Sequence, residues 1–262
     1  MDLELRDKVV LVTGGSKGIG LACALAFARE GAKVAIASRS ADNLAAARAE
    51  LERAGYQVYT HAANLSDADD AQKLVDAVEA QVGPIAVLVN SAGAAQRYAP
   101  ATLTPQSWRD AMDAKYFPYI NAMDATIKKM VGRGKGAIVN IIGAGGKVAS
   151  PFHIPGGSAN AALMLASAGL ANAWGSKGIR VNAINPGATH TERVQGALKA
   201  ESELTGKSTA ELLQAREQSI PLGRLAKPEE VADAALYLAS ERASYVTAAL
   251  LTMDGGLHPI GA

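Results

Sequence analysis

Thr13-Gly14-Gly15-Ser16-Lys17-Gly18-Ile19-Gly20 lies between an apolar run, Val9-Val10-Leu11-Val12, and the helix-like segment Leu21 to Phe27. Strand, glycine turn and helix in that order make a cradle for phosphate. Glycines let backbone approach a pyrophosphate closely, and a helix N-terminus offers free N–H groups and the positive end of its dipole. Glycine also serves ordinary tight turns, so the weight here comes from placement between strand and helix. The stretch predicts a dinucleotide site.

The unit then repeats. Gly31 stands where helices commonly end, a strand covers Lys33 to Ala37, and Ser38-Arg39-Ser40 follows. In a dinucleotide fold this strand end faces the adenosine ribose, where a carboxylate takes the 2′-hydroxyl and an arginine takes a 2′-phosphate. Arg39 with Ser38 beside it, Lys17 within reach and no carboxylate favour NADP(H) over NAD(H). A helix over 41–54, a strand over 57–60 and the turn Asn64-Leu65-Ser66-Asp67 come next, with Ser66 or Asp67 placed to cap a helix running to about Val82. A buried strand over 85–89 ends in Asn90-Ser91-Ala92-Gly93. This alternation implies an α/β fold, a Rossmann-type doubly wound parallel sheet with helices on both faces.

Farther on, a long helix over 107–131 contains Pro118, whose missing N–H predicts a kink, and Lys115 on the preceding turn. A strand over 136–142 runs into Gly143-Ala144-Gly145-Gly146. A loop holding His153 leads to Gly156-Gly157-Ser158-Ala159-Asn160, which opens a helix over 161–174. A strand over 179–184 precedes Pro186-Gly187-Ala188-Thr189-His190-Thr191, and a helix from Pro228 and a strand over 245–253 complete a single expected domain over 1–262.

Composition narrows the function classes. Twenty-six basic and 25 acidic residues nearly cancel, so no general pull toward nucleic acid or membrane is implied. The single cysteine, Cys23, has no disulfide partner, and no apolar run reaches membrane-spanning length; a cytoplasmic setting is expected. The four histidines are scattered without metal-ligand spacing, so no metal site is expected.

The turn Thr13-Gly14-x-x-x-Gly18-x-Gly20, Asn90-Ser91-Ala92-Gly93, Asn185-Pro186-Gly187 and the ending Met253-Asp254-Gly255-Gly256 resemble the short-chain dehydrogenase/reductase family across essentially the whole chain. The resemblance implies a cofactor site made of Gly14, Ser16, Lys17, Gly18, Ile19, Gly20, Ser38, Arg39, Asn64, Leu65, Asn90, Ala92, Gly93, Pro186, Gly187, Thr189 and Thr191. It also implies proton transfer by a tyrosine with a lysine four residues later, a serine orienting the substrate oxygen and an asparagine completing a water relay. Positions i and i+4 share a helix face, so the ammonium sits near the phenol and lowers its pKa.

None of the seven tyrosines has lysine four residues on. Motif matching puts Gly156 at the tyrosine position, Asn160 at the lysine, Gly143 at the serine and Lys115 at the asparagine. With His190, these four form the expected substrate pocket. Losing a positioned general acid forfeits about 10² to 10⁴ in rate, so three readings stand. One is an NADP(H)-dependent oxidoreductase on a small carbonyl or alcohol with a rebuilt acid/base group, drawn from Lys115, His153 and His190. A second is a non-catalytic NADP(H)-binding or sensing protein. A third is a lyase working through a Lys115 Schiff base. The glycines at 143 and 156 leave room for a larger ligand, or serve backbone need in tight loops. His153 and His190 read as surface-loop residues, and Lys115 reads either as a desolvated proton donor or as a packed stem with a solvated head. The polar segment 192–220 resembles the family's substrate lid, in which Arg193, Lys199 and Arg216 could attract an acidic substrate. A homotetramer is expected by resemblance, with a dimer next.

Overall fold

The apolar runs pair side by side. In the computed structural model, which describes residues 2–93 and 95–258, seven strands form one sheet. They are β1 Val9–Thr13, β2 Lys33–Ser38, β3 Val58–Ala62, β4 Ile85–Asn90, β5 Gly136–Ile141, β6 Ile179–Pro186 and β7 Leu250–Met253. The order is β3-β2-β1-β4-β5-β6-β7, every pairing parallel. Parallel pairing follows from helical crossovers, which cover both faces and make each strand apolar throughout. In β1, Val10 and Val12 join the core beneath α1 (Gly18–Arg29), α2 (Ala41–Arg53) and α9 (Pro228–Ala239). Val9 and Leu11 join the opposite core, beneath α3 (Ala68–Gln81), α5 (Phe117–Arg133) and α6 (Ile154–Trp174). Each fully buried Val, Leu or Phe contributes roughly 1.5–3 kcal/mol, so the two layers supply most of the driving force. Strand order reverses on either side of β1, which opens a crevice between the carboxyl ends of β1 and β4.

Local chemistry accounts for most of the element boundaries. Asp67, not Ser66, caps α3, accepting from the Asp70 N–H at 2.9 Å. Ser40 caps α2 through the Asn43 N–H. The helix expected over 107–131 is three pieces: α4 (Pro105–Ala111), a π-helical turn over Met112–Tyr116, and α5. Pro118 lies in the first turn of α5 and cannot donate to the Ala114 carbonyl, and the chain widens just ahead of it.

Two boundaries differ from expectation. The helix expected from 161 begins at Ile154, so Gly156 and Gly157 are helical, and neither has a positive φ. Pro155 in the first turn lacks a donor where none is needed, which starts the helix early. The last strand is Leu250–Met253 rather than 245–253; residues 245–249 are irregular, with Tyr245 fully exposed. The segment 192–220 folds into α7 (Glu192–Thr205) and α8 (Thr209–Ser219).

Candidate active site

The glycine turn leaves β1 at the crevice. Gly14 adopts φ +66°, and a Cβ there would meet the Ala92 backbone at 2.7 Å, so only glycine lets the turn pass beneath the end of β4. Its N–H donates to the Ala37 carbonyl at 2.8 Å. Ile19 and Gly20 open α1, with Gly20 packed on the Gly14 carbonyl. Ser16 is buried, and Gly18 lies against the Thr191 methyl. Pro186 closes β6, the Gly187 N–H donates to the Met253 carbonyl at 2.9 Å, and Thr189 and Thr191 donate to the carbonyls of Gly187 and Thr189, both at 3.3 Å. The loop after β6 is thereby held over the glycine turn.

At the carboxyl end of β2, Ser38 closes the strand and Arg39 is exposed with no carboxylate partner among the described residues. Lys17 Nζ meets Glu192 at 3.3 Å in a solvent-exposed ion pair. Asn64 and Leu65 follow β3, and the Leu65 carbonyl accepts from Asn121 Nδ2 at 2.9 Å. Asn90 is fully buried and its amide is occupied: it accepts from Thr13 Oγ1 at 2.9 Å and donates to Asn140 Oδ1 at 2.9 Å. Asn140 in turn donates to Ser167, which donates to the Leu163 carbonyl. This chain ties the ends of β1, β4 and β5 to α6, so the Asn90 side chain holds the crevice open rather than reaching into it.

Lys115 sits at the other side of the crevice. Gly93 (φ +96°) packs against the Ala114 carbonyl, which sets the loop after β4 on the π turn. Lys115 is only 7% exposed. Its Nζ donates to Tyr119 Oη at 2.8 Å and to the Ile141 carbonyl at 3.3 Å, and Tyr119 Oη donates to the same carbonyl at 2.5 Å. The ammonium also lies 4.3 Å from the Tyr119 ring centroid. Burial, helped by the charge of Arg193, lowers the Lys115 pKa from 10.5 to about 7. Burial pushes the Tyr119 phenol far above its usual range. Lys115 is therefore no snorkelling surface residue.

A lysine–tyrosine pair at i, i+4 thus exists, in the reverse order. Testing each tyrosine for a lysine four residues later misses it. Testing each lysine for a tyrosine four residues later finds Lys115 and Tyr119, because one helix face reads the same in both directions.

The opposite wall is the start of α6. Gly143 has φ +123°, a backbone requirement. Gly156 has none; a Cβ there would strike the His153 ring, which also packs on Gly145. His153 is half-buried, and its Nδ1 is buried without a hydrogen-bond partner among the described residues. Burial lowers its pKa, with smaller contributions from Arg97, Arg193 and Lys115. Asn160 is buried beside Gly143 and Gly145, and its Oδ1 has no partner. His190 is exposed, and its backbone N–H donates to the Ala226 carbonyl at 2.8 Å. No group of metal-ligating side chains occurs among the described residues, and no helix there is long and apolar enough to cross a membrane. A groove of about 590 Å³ at the amino ends of the strands contains none of these residues; ligands of open parallel sheets bind at the carboxyl ends.

Fold and crevice define an open α/β protein built to take a nucleotide where its strand order reverses. A family model described as enoyl-(acyl carrier protein) reductase matches residues 14–258. The chain belongs to the short-chain dehydrogenase/reductase family. It is 37% identical to D-threitol dehydrogenase of Mycolicibacterium smegmatis over 97% of this chain and 94% of that one. L-sorbose reductase from Gluconobacter frateurii, solved with NADPH and L-sorbose, superposes with a TM-score of 0.91 at 30% identity, covering 99% of this chain and 100% of that one. An NADPH-bound short chain oxidoreductase from Pseudomonas aeruginosa PAO1, described as containing an atypical catalytic center, gives 0.87 at 30% identity over 97% and 98% of the two chains.

Proposed function

We propose that the protein is an NADP(H)-dependent oxidoreductase that interconverts a small hydroxylated carbonyl compound and its alcohol, with Lys115 as the acid/base group. The observation that carries this reading is the buried Lys115 Nζ, held by Tyr119 and the Ile141 carbonyl at the carboxyl end of β5 with its pKa near 7. Similarity to D-threitol dehydrogenase and L-sorbose reductase supports a polyol-like substrate.

The residues present fit the cofactor. Side chains are missing where Gly14 and Gly20 pack on backbone, and Arg39 stands exposed and unpaired at the adenosine end. The orphaned Asn160 Oδ1 is an acceptor waiting for a hydroxyl donor such as a ribose supplies. A nicotinamide bound there supplies or accepts the hydride.

The remaining chemistry belongs to this chain. In reduction the Lys115 ammonium gives a proton to the developing alkoxide; in oxidation the neutral amine takes the alcohol proton. A pKa near 7 leaves both forms populated at neutrality, which suits general acid–base catalysis. Tyr119 spends its own proton on the Ile141 carbonyl and uses its lone pair to hold Lys115, so it acts as a neutral anchor. The α7–α8 hairpin serves as the substrate lid.

A neutral amine is also a nucleophile, so the low Lys115 pKa favours a Schiff-base lyase as the second reading. The test is an NADPH and NADH titration followed by a carbonyl panel read by NADPH absorbance, with borohydride trapping alongside. Turnover abolished in Lys115→Ala supports the oxidoreductase. A borohydride-trapped Lys115 adduct without NADPH oxidation supports the lyase. NADPH binding without either supports a sensor.

A further inference from the structure

His153 stands at the rim of the crevice, bracketed from three sides. The Tyr98 N–H donates to the Phe152 carbonyl at 3.2 Å, which ties the loop after β4 to the residue before His153. Cδ2 of the ring lies 3.2 Å from the position a Gly145 Cβ would take, on the turn that follows β5. Cε1 lies against Gly156 in the first turn of α6, where the missing Cβ makes the room. Lys115 Nζ donates to the Ile141 carbonyl at 3.3 Å, four residues ahead of Gly145 on the same segment. Lysine and imidazole therefore line one stretch, residues 141–145, at the carboxyl end of β5. Open parallel sheets bind their ligands on that side.

The packing also fixes the ring's proton. Nδ1 is buried without a hydrogen-bond partner among the described residues. A proton there would be an unpaired donor out of reach of water, which is the costly case. His153 is the residue from which α6 starts, and the positive end of the helix dipole opposes a cation there. Burial lowers its pKa in the same direction. The neutral ring therefore carries its proton on Nε2, which is not sealed and makes no hydrogen bond to the described residues. A neutral imidazole at a helix start polarises an oxygen without itself becoming the acid.

We propose that His153 is a second catalytic residue of this cleft, donating its Nε2–H to the substrate's reacting oxygen as negative charge develops there. The proton still passes between Lys115 and that oxygen, and the imidazole gains and loses none. This role rests on the oxidoreductase reading of the cleft.

Two measurements on the full chain test it. Nitrogen-15 NMR of the four histidines reads the tautomer without turnover, with His153 assigned by the signals lost in His153→Gln. The expected ring is protonated on Nε2 alone at pH 7; a proton on Nδ1, or an imidazolium, would overturn the inference. Steady-state reduction of L-sorbose and of the other carbonyls in the NADPH panel then compares three variants, with unfolding midpoints measured alongside. Glutamine offers an amide N–H in place of Nε2–H, leucine fills the volume without a donor, and alanine does neither. His153→Leu and His153→Ala should lose about 10²- to 10³-fold in kcat. His153→Gln should stay within about tenfold of wild type and keep the inflection near pH 7 that belongs to Lys115. Leucine as active as glutamine would reduce His153 to packing, and an inflection lost in His153→Gln would make it the acid/base group; either sinks this role alone. A wild type that reduces none of the carbonyls sinks the oxidoreductase reading and this role with it.

Discussion

Lys115→Met separates a functional lysine from a merely buried one. The drop from 10.5 to about 7 corresponds to about 5 kcal/mol at roughly 1.4 kcal/mol per pH unit. The sign follows from proton counting. The folded pKa lies below the unfolded one, so between pH 7 and 10.5 the unfolded chain holds more protons and this residue's contribution to stability rises with pH. Below about pH 7 the full penalty of burying the ammonium is present. Methionine keeps the stem and removes the charge, at the loss of hydrogen bonds to Tyr119 and the Ile141 carbonyl worth about 1–2 kcal/mol together. Denaturant unfolding without nucleotide should find Lys115→Met more stable than wild type by about 3 kcal/mol at pH 6, with the gap narrowing by about 2–3 kcal/mol by pH 9. Other titrating groups cancel in the difference. The same variant should lose about 10² to 10⁴ in turnover. A stability gap that stays flat from pH 6 to pH 9 would refute the reasoning, because it would mean that Lys115 titrates like an exposed lysine.

Further outcomes follow from the same geometry. Carbonyl reduction by the wild type should fall about tenfold per pH unit above a pKa near 7, and alcohol oxidation should fall below it; a profile without inflection between pH 6 and 8 would remove Lys115 from the chemistry. Tyr119→Phe deletes the acceptor that holds Nζ and should cost about 10-fold in kcat while moving the inflection to lower pH; an unchanged profile would show that Tyr119 anchors nothing. Gly156→Ala should cost about 1–3 kcal/mol in unfolding free energy by pushing His153 aside, and most of that loss should be recovered in the double variant with His153→Ala. Arg39→Gln should weaken NADPH by about 10- to 100-fold and leave NADH within threefold; equal losses would assign Arg39 to something other than the 2′-phosphate.

Strand positions, the glycine turn and the order of elements were legible because they depend on local periodicity and glycine placement. Apolar runs of five or six residues bounded by helical segments admit few arrangements other than a parallel sheet, and Gly14 and Gly20 announce the crevice. Boundaries failed where a local preference was overruled. Gly156 and Gly157 read as loop, yet they are helical, because at Gly156 what matters is room for the His153 ring.

The chain by itself therefore decided the sheet, the glycine turn at its carboxyl end, and the absence of a tyrosine with lysine four residues after it. Only the folded structure decided that Lys115 and Tyr119 meet over one carbonyl, that Lys17 pairs with Glu192 at the surface, and that Asn160 Oδ1 is buried without a partner among the described residues. The reason is distance along the chain. Helix and strand periods act over a few residues. The pKa of Lys115 and the partners of a side chain depend on what burial brings from 26 to 175 residues away, and no local pattern records that.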